Sequence, residues 1–164
     1  MAIENFNIVN LVNGDGCFDL QFRKDVRRER TNSPTYYRWK AQFIITNPKE
    51  NIKVLEKVSK EFGCGKITIS KDQARFSVQK IDEIIDVIMA FFRKNLLVGN
   101  KKQDFSLWSK GVEIIYRNKG KPLVSWKKSD LMQLIEIQKA GVKYKNKPRQ
   151  PKWLEMAKAF SKNI

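Results

Sequence analysis

A chain of 164 residues with 41% hydrophobic content has the length and the apolar material for one core-bearing domain, or one domain plus a tail. Its net charge of +16 points to nucleic acid or another anionic surface as partner. The absence of His excludes His-based triads, bases and metal ligands, and two cysteines, Cys17 and Cys64, are too few for a zinc site or a disulfide framework.

The spacing of Ile3, Phe6, Val9 and Val12 predicts a helix over 3–13. It runs into Gly14-Asp15-Gly16, which sets one carboxylate on a backbone opened by two glycines. That arrangement suits a metal at the edge of a bound polyanion, and equally a helix end with a polar turn. Residues 17–24 alternate as a half-buried strand, with Phe18, Leu20 and Phe22 inward and Cys17, Asp19, Gln21 and Arg23 outward. A charged loop follows to Pro34. Residues 35–46 alternate again, with Trp39, Ala41, Phe43 and Ile45 on one face and Arg38, Lys40, Gln42 and Ile44 on the other.

Asn47-Pro48 is expected to start a helix that ends near Phe62, since Pro suits the first helical position, and Gly63-Cys64-Gly65 stops it. Strands are predicted over 66–70 and 74–79 around a turn at Lys71-Asp72. Ile67, Ile69, Phe76 and Val78 are expected in the core, and Lys66, Thr68, Ser70, Arg75, Ser77 and Gln79 outside it. Helices are predicted over 80–93, 102–117 and 128–140. Residues 143–152 form a basic, Pro-containing linker, and 151–162 a last short amphipathic helix with Trp153, Met156 and Phe160.

The order is αββαββα followed by more helix, an α+β class with one four-stranded antiparallel sheet. Helices cover one face, and the other is polar and basic. An antiparallel sheet tolerates one solvated face, and with this charge that face is either a nucleic-acid platform or an ordinary wetted surface.

Three segments in this order carry a resemblance: Ile8–Phe18 (IVNLVNGDGCF), Phe43–Ile67 with its FGCGKI turn, and Arg75–Phe92 together with Lys101–Ile115, which contains KKQDF. Together they resemble the single-motif LAGLIDADG homing endonucleases over roughly residues 6–140, with 141–164 as a basic C-terminal extension holding a short helix. The resemblance implies the LAGLIDADG homing-endonuclease fold with extra C-terminal helices. It implies a metal-binding catalytic acid at Asp15, a polar residue that orders the attacking water at Asn47, and a pocket lysine at Lys101, with Lys102 as the other choice. It implies major-groove contacts from Gln21, Arg23, Arg38, Lys40, Gln42, Lys66, Thr68, Arg75 and Ser77. Lys143, Lys145, Lys147 and Arg149 of the basic extension are expected to bind nucleic acid as well. A single-motif chain of this family cuts double-stranded DNA as a homodimer with Mg²⁺, each motif helix delivering one carboxylate.

Three positions depart from the family pattern. Asn10 stands where a small residue lets two motif helices touch, Asn13 where an acid is common, and Asn47 where Gln is common. The favoured expectation is therefore a nucleic-acid-binding LAGLIDADG protein domesticated to bind structured RNA. It would act as a monomer within an organellar ribosome, as a ribosomal protein, or within another ribonucleoprotein, with cleavage lost or impaired. The alternatives are an active homodimeric Mg²⁺-dependent DNA endonuclease and an intron maturase.

No apolar run approaches the ~18 residues of a membrane helix. Neither a basic amphipathic helix nor a lipidation motif is evident, so no membrane partner is expected. The first residues lack the pattern of a secretory signal. Lysines outnumber arginines 24 to 9, and Lys, Asn, Ile, Phe and Tyr are abundant. These residues have A/T-rich codons, so an organellar gene is expected, with the mitochondrion favoured.

Overall fold

The computed structural model describes residues 7–26, 35–145 and 157–159. The loop expected over 24–34 is corrected at its start, where 24–26 continue the first strand; its remainder, the start of the first helix, and the tail residues Lys147, Arg149, Trp153, Met156 and Phe160 lie outside the described residues. Helix α1 (Ile8–Asp15) leads into β1 (Gly16–Val26), then β2 (Thr35–Pro48), α2 (Ile52–Phe62), β3 (Lys66–Ser70) and β4 (Gln73–Val78). Ile81–Glu83, Ile84–Met89 and Ala90–Lys94 form one continuous helix, α3, whose middle segment is π-helical. Helices α4 (Gly99–Arg117) and α5 (Lys128–Gly141) complete the order. The four strands form one sheet in the order β1-β2-β4-β3, and β4 pairs antiparallel with both β2 and β3. The expected α+β architecture is present.

The chain divides into two compact units, Met1–Asp19 with Gln42–Phe105, and Leu20–Ala41 with Ser106–Ile164. In the first, the core is a phenylalanine cluster. Phe18 lies 5.4 Å from Phe43 and 5.7 Å edge-on from Phe92, and Phe43 lies 6.3 Å from Phe76. Phe62 joins through Phe76 and Phe91. Leu55, Val58 and Phe62, at helical spacing, are the buried face of α2. Its end is made by Gly63, whose left-handed φ of 69° needs no Cβ and whose N–H donates to the Ser59 carbonyl. Gly65 follows at φ 98°, and a Cβ there would run into the Phe76 ring. In the second unit, Phe22 stacks on Tyr37 and meets Trp39 edge-on. Leu131, Leu134, Ile135, Trp108 and Val112 are buried, and Gln138 Nε2 donates to the Leu20 carbonyl at 2.9 Å.

Several local expectations are corrected. Asn47 and Pro48 do not begin a helix. They close β2, paired with Ala74 and Gln73, and a 3₁₀ turn at Lys49–Asn51 precedes α2. Pro48 sits at ψ 145°, extended rather than helical, so the proline that suits a first helical turn instead serves as a cap. Ile69 is 58% exposed rather than in the core, because β3 is an edge strand with neighbours on one side only. The sheet face without predicted helices is not uniformly wet: Gln42, Ile44 and Ser77 on it are buried.

Candidate functional site at the foot of the motif helix

Helix α1 is short and buries only Ile8 and Val12, whereas Asn10 and Gly14 are exposed. Its start is capped by Asn7, whose side chain accepts from the Asn10 N–H at 3.2 Å. At its end the Gly16 N–H donates to the Val12 carbonyl, and a Cβ on Gly16 would come within 2.6 Å of a Val12 methyl, so the chain turns from helix to strand at this point only with glycine. Gly14 has open space around it, so its glycine relieves no clash in the folded chain. Asn13 fastens the same helix end from the other side: its Oδ1 accepts from the Val98 N–H at 3.3 Å, just ahead of α4.

Asp15 is the last residue of α1 and is exposed. Its Oδ2 accepts from Asn47 Nδ2 at 3.0 Å. The same amide group donates to the Thr46 carbonyl at 3.0 Å, and its Oδ1 accepts from Asn51 Nδ2 at 3.3 Å, so all its polar atoms are assigned and its orientation is set. Lys101, on α4 and buried, donates from Nζ to the Gly16 carbonyl at 2.5 Å. Asn47 is thus bonded to Asp15 itself and Lys101 to the carbonyl of the next residue, Gly16, so three elements far apart in sequence come together at the foot of α1. Lys102 is exposed and stands apart from this contact.

A carboxylate at a helix C-terminus sits where the helix dipole is already negative. Among the described residues Asp15 forms no ion pair, and the nearby Lys101 ammonium is engaged by the Gly16 carbonyl. No three groups from His, Cys, Asp and Glu gather anywhere among the described residues. One chain therefore offers one carboxylate and backbone oxygen. That donor set fits Mg²⁺, which keeps several waters and takes one or two carboxylates plus substrate phosphates, and does not fit zinc.

On the sheet, register places the base-contact candidates in rows. Lys66, Ser77 and Ile44 lie side by side across β3, β4 and β2, and so do Thr68, Arg75 and Thr46. Arg75, Thr68 and Lys66 are exposed. Gln42 is buried and donates from Nε2 to Asp19 Oδ2 at 2.7 Å, a partner the sequence reading did not name. In the second unit Arg38 is exposed and Gln21, Arg23 and Lys40 are half-buried. Lys143 is exposed with its Nζ 5.1 Å from the Tyr144 ring centre, and Lys145 is half-buried. Asn51 was also missed by the sequence reading, because a helix begun at Asn47 would have directed it differently.

The LAGLIDADG endonuclease family profile matches residues 8–112. The chain belongs to the LAGLIDADG endonuclease family. It is 30% identical over 110 residues to a probable intron-encoded endonuclease 3 of Neurospora crassa, covering 66% of this chain and 20% of the relative. It is 29% identical over 106 residues to a probable intron-encoded DNA endonuclease 1 of Mycosarcoma maydis, covering 64% of this chain and 35% of the relative. The matched region is thus about a fifth and a third of these relatives' lengths. Its fold is that of the homing endonuclease I-TnaI, with a TM-score of 0.68 at 23% identity over 95% of this chain and 94% of that one. It is also that of I-SmaMI bound to an uncleaved DNA target with calcium ions, with a TM-score of 0.74 at 20% identity over 93% of this chain and 49% of that one. This LAGLIDADG chain has the fold of the homing endonucleases.

Proposed function

We propose that this LAGLIDADG protein is a Mg²⁺-dependent endonuclease that hydrolyses phosphodiester bonds of double-stranded DNA as a homodimer. The observation that carries the reading is the convergence of Asp15, Asn47 and Lys101 at the foot of α1, an arrangement that binding RNA does not require. One copy of the fold supplies one motif carboxylate, so two strand cuts need two copies, and the exposed Asn10 and Gly14 side of α1 is the surface for that pairing. The names of the fungal relatives and the DNA in the I-SmaMI structure support DNA as substrate.

When bound, Mg²⁺ supplies Lewis-acid polarisation of the phosphodiester. Asp15 of each copy would hold it. Asn47, clamped by Asn51 and the Thr46 carbonyl, keeps the Asp15 carboxylate in one orientation, and the second lone pair of its Oδ1 is what it offers the attacking water. Lys101, fixed on the Gly16 carbonyl, places a positive charge where negative charge grows in the transition state. The rows around Arg75 face the base edges. The intron-encoded relatives and the abundance of residues with A/T-rich codons support an organellar, mitochondrial gene.

Asn10 favours a second reading. Two Asn side chains facing each other across a helix pair resist close packing, and a monomer would bind structured RNA within a ribonucleoprotein instead. One assay separates the two. The protein is incubated with a randomised duplex DNA library and Mg²⁺, and the ends produced are sequenced. Site-specific double-strand breaks are expected. They should disappear with EDTA and fall by at least ~10²-fold in Asp15→Asn, which keeps the fold. No breaks from a protein that sediments as a monomer would refute the endonuclease.

A further inference from the structure

Two hydrogen bonds join the foot of α1 to the start of α4. Asn13 Oδ1 accepts from the Val98 N–H at 3.3 Å, and the Gly16 carbonyl accepts from Lys101 Nζ. Both bonds join residues 85 positions apart. Asn13 and Gly16 are separated by the same step along the chain as Val98 and Lys101. The two segments therefore lie in register, and the Asn13 bond fixes the backbone from which the Lys101 side chain reaches out.

That backbone has little else to fix it. Asn95 leaves the helical conformation of α3, at φ −114° and ψ 89°. Of residues 95–98 only Leu97 is buried, and its neighbours Leu96 and Val98 are exposed. Gly99 follows at φ 59° with open space where a Cβ would stand, so the chain is permissive at the point where α4 begins. The Val98 carbonyl accepts from the Lys102 N–H at 3.4 Å, which makes Val98 the residue that opens the hydrogen-bond ladder of α4. Asn13 thus grips the residue from which the helix is built. A shift there carries Lys101 with it, and Lys101, only 7% exposed, has little room to swing back. An asparagine near a helix end is more often solvated or bonded locally; this one holds a backbone donor of a different element.

We propose that Asn13 is a positioning residue: by holding the Val98 N–H it sets the start of α4, and with it the place of the Lys101 ammonium at the Gly16 carbonyl beside Asp15. Asn13 lacks the charge common at this position in the family but keeps what the contact uses, a side-chain oxygen. The effect on cleavage rests on the endonuclease reading; the placement of Lys101 does not.

The first measurement uses the whole protein without DNA or metal. A buried, hydrogen-bonded lysine ammonium exchanges its protons slowly enough to give its own ¹⁵N-correlated signal, identified for Lys101 by its loss in Lys101→Met. The signal should be present in the wild type, lost in Asn13→Ala and restored in Asn13→Asp, which keeps an oxygen at the same distance from the backbone. Tm should fall by only ~2–4 °C in Asn13→Ala, the effect of one hydrogen bond. The second measurement is single-turnover DNA cleavage at saturating protein. Asn13→Ala should cut ~10-fold more slowly, with DNA affinity and sedimentation unchanged, and should cost nothing further in the Lys101→Met background. Asn13→Asp should recover most of the rate. The proposal is overturned by a wild type without a Lys101 signal, by an unchanged signal in Asn13→Ala, or by a rate loss that accompanies lost self-association or persists beside Lys101→Met. If the wild type cuts nothing, the endonuclease reading fails and the Lys101 signal alone decides the positioning.

Discussion

Asp130→Ala is expected to destabilise the protein by about 2–3 kcal/mol. Asp130 is 6% exposed, and its carboxylate accepts from the Arg117 guanidinium at 2.7 Å and from the neutral Asn118 amide at 3.1 Å. Charge-assisted bonds contribute ~1.5–3 kcal/mol, but the Arg117 side chain is 56% exposed, so solvent screening puts this one at the low end. The Asn118 amide, itself buried, keeps its bond to the Ile114 carbonyl and loses the other, an orphaned donor costing ~1–3 kcal/mol. For a chain of 164 residues this corresponds to a fall in Tm of ~4–12 °C.

The pH dependence has a definite sign. The Arg117 hydrogen bond holds the Asp130 carboxyl below its ordinary value, outweighing burial, with Asn118 helping. A depressed folded-state pKa means that the stabilisation is complete above the unfolded value and is lost as pH falls through the folded one. The difference between wild type and Asp130→Asn should therefore be flat from neutral pH down to about 4 and shrink below it. Thermal unfolding across pH measures both effects. A loss under ~0.5 kcal/mol for Asp130→Ala, the size of a plain surface change, or a difference that grows on acidification, would refute the reasoning.

Gly65→Ala should cost at least ~2 kcal/mol, because it combines a left-handed backbone with a collision on the Phe76 ring, and denaturant unfolding will show it. Gly14→Ala, with nothing near its Cβ and helical backbone, should leave monomer stability within ~1 kcal/mol in the same assay. Asn51→Ala should release the Asn47 amide and lower cleavage by ~10-fold with DNA affinity unchanged, and adding it to Asn47→Ala should change nothing further, since the two act through one contact.

The fold was largely legible in the sequence because its signals are local and repeated. Phe18, Leu20 and Phe22 alternate, Leu55, Val58 and Phe62 recur at helical spacing, and Gly63 and Gly65 mark a turn whose left-handed backbone needs them. The motif segments ordered these elements into a known architecture, and composition pointed to a polyanionic partner and, without His, to oxygen-donor chemistry. Tertiary structure decided what depends on neighbours. Ile69 reads as core by alternation and is exposed because its strand is at the edge, while Gln42 reads as a free contact and is spent on Asp19. Pro48 reads as a helix start and is a strand end, because pairing of Asn47 with Ala74 outweighs local preference. Above all, Asp15, Asn47, Asn51 and Lys101 carry no shared pattern along the chain. Hydrogen bonds between residues up to 85 positions apart unite them, and a contact closed by folding leaves no period in the sequence.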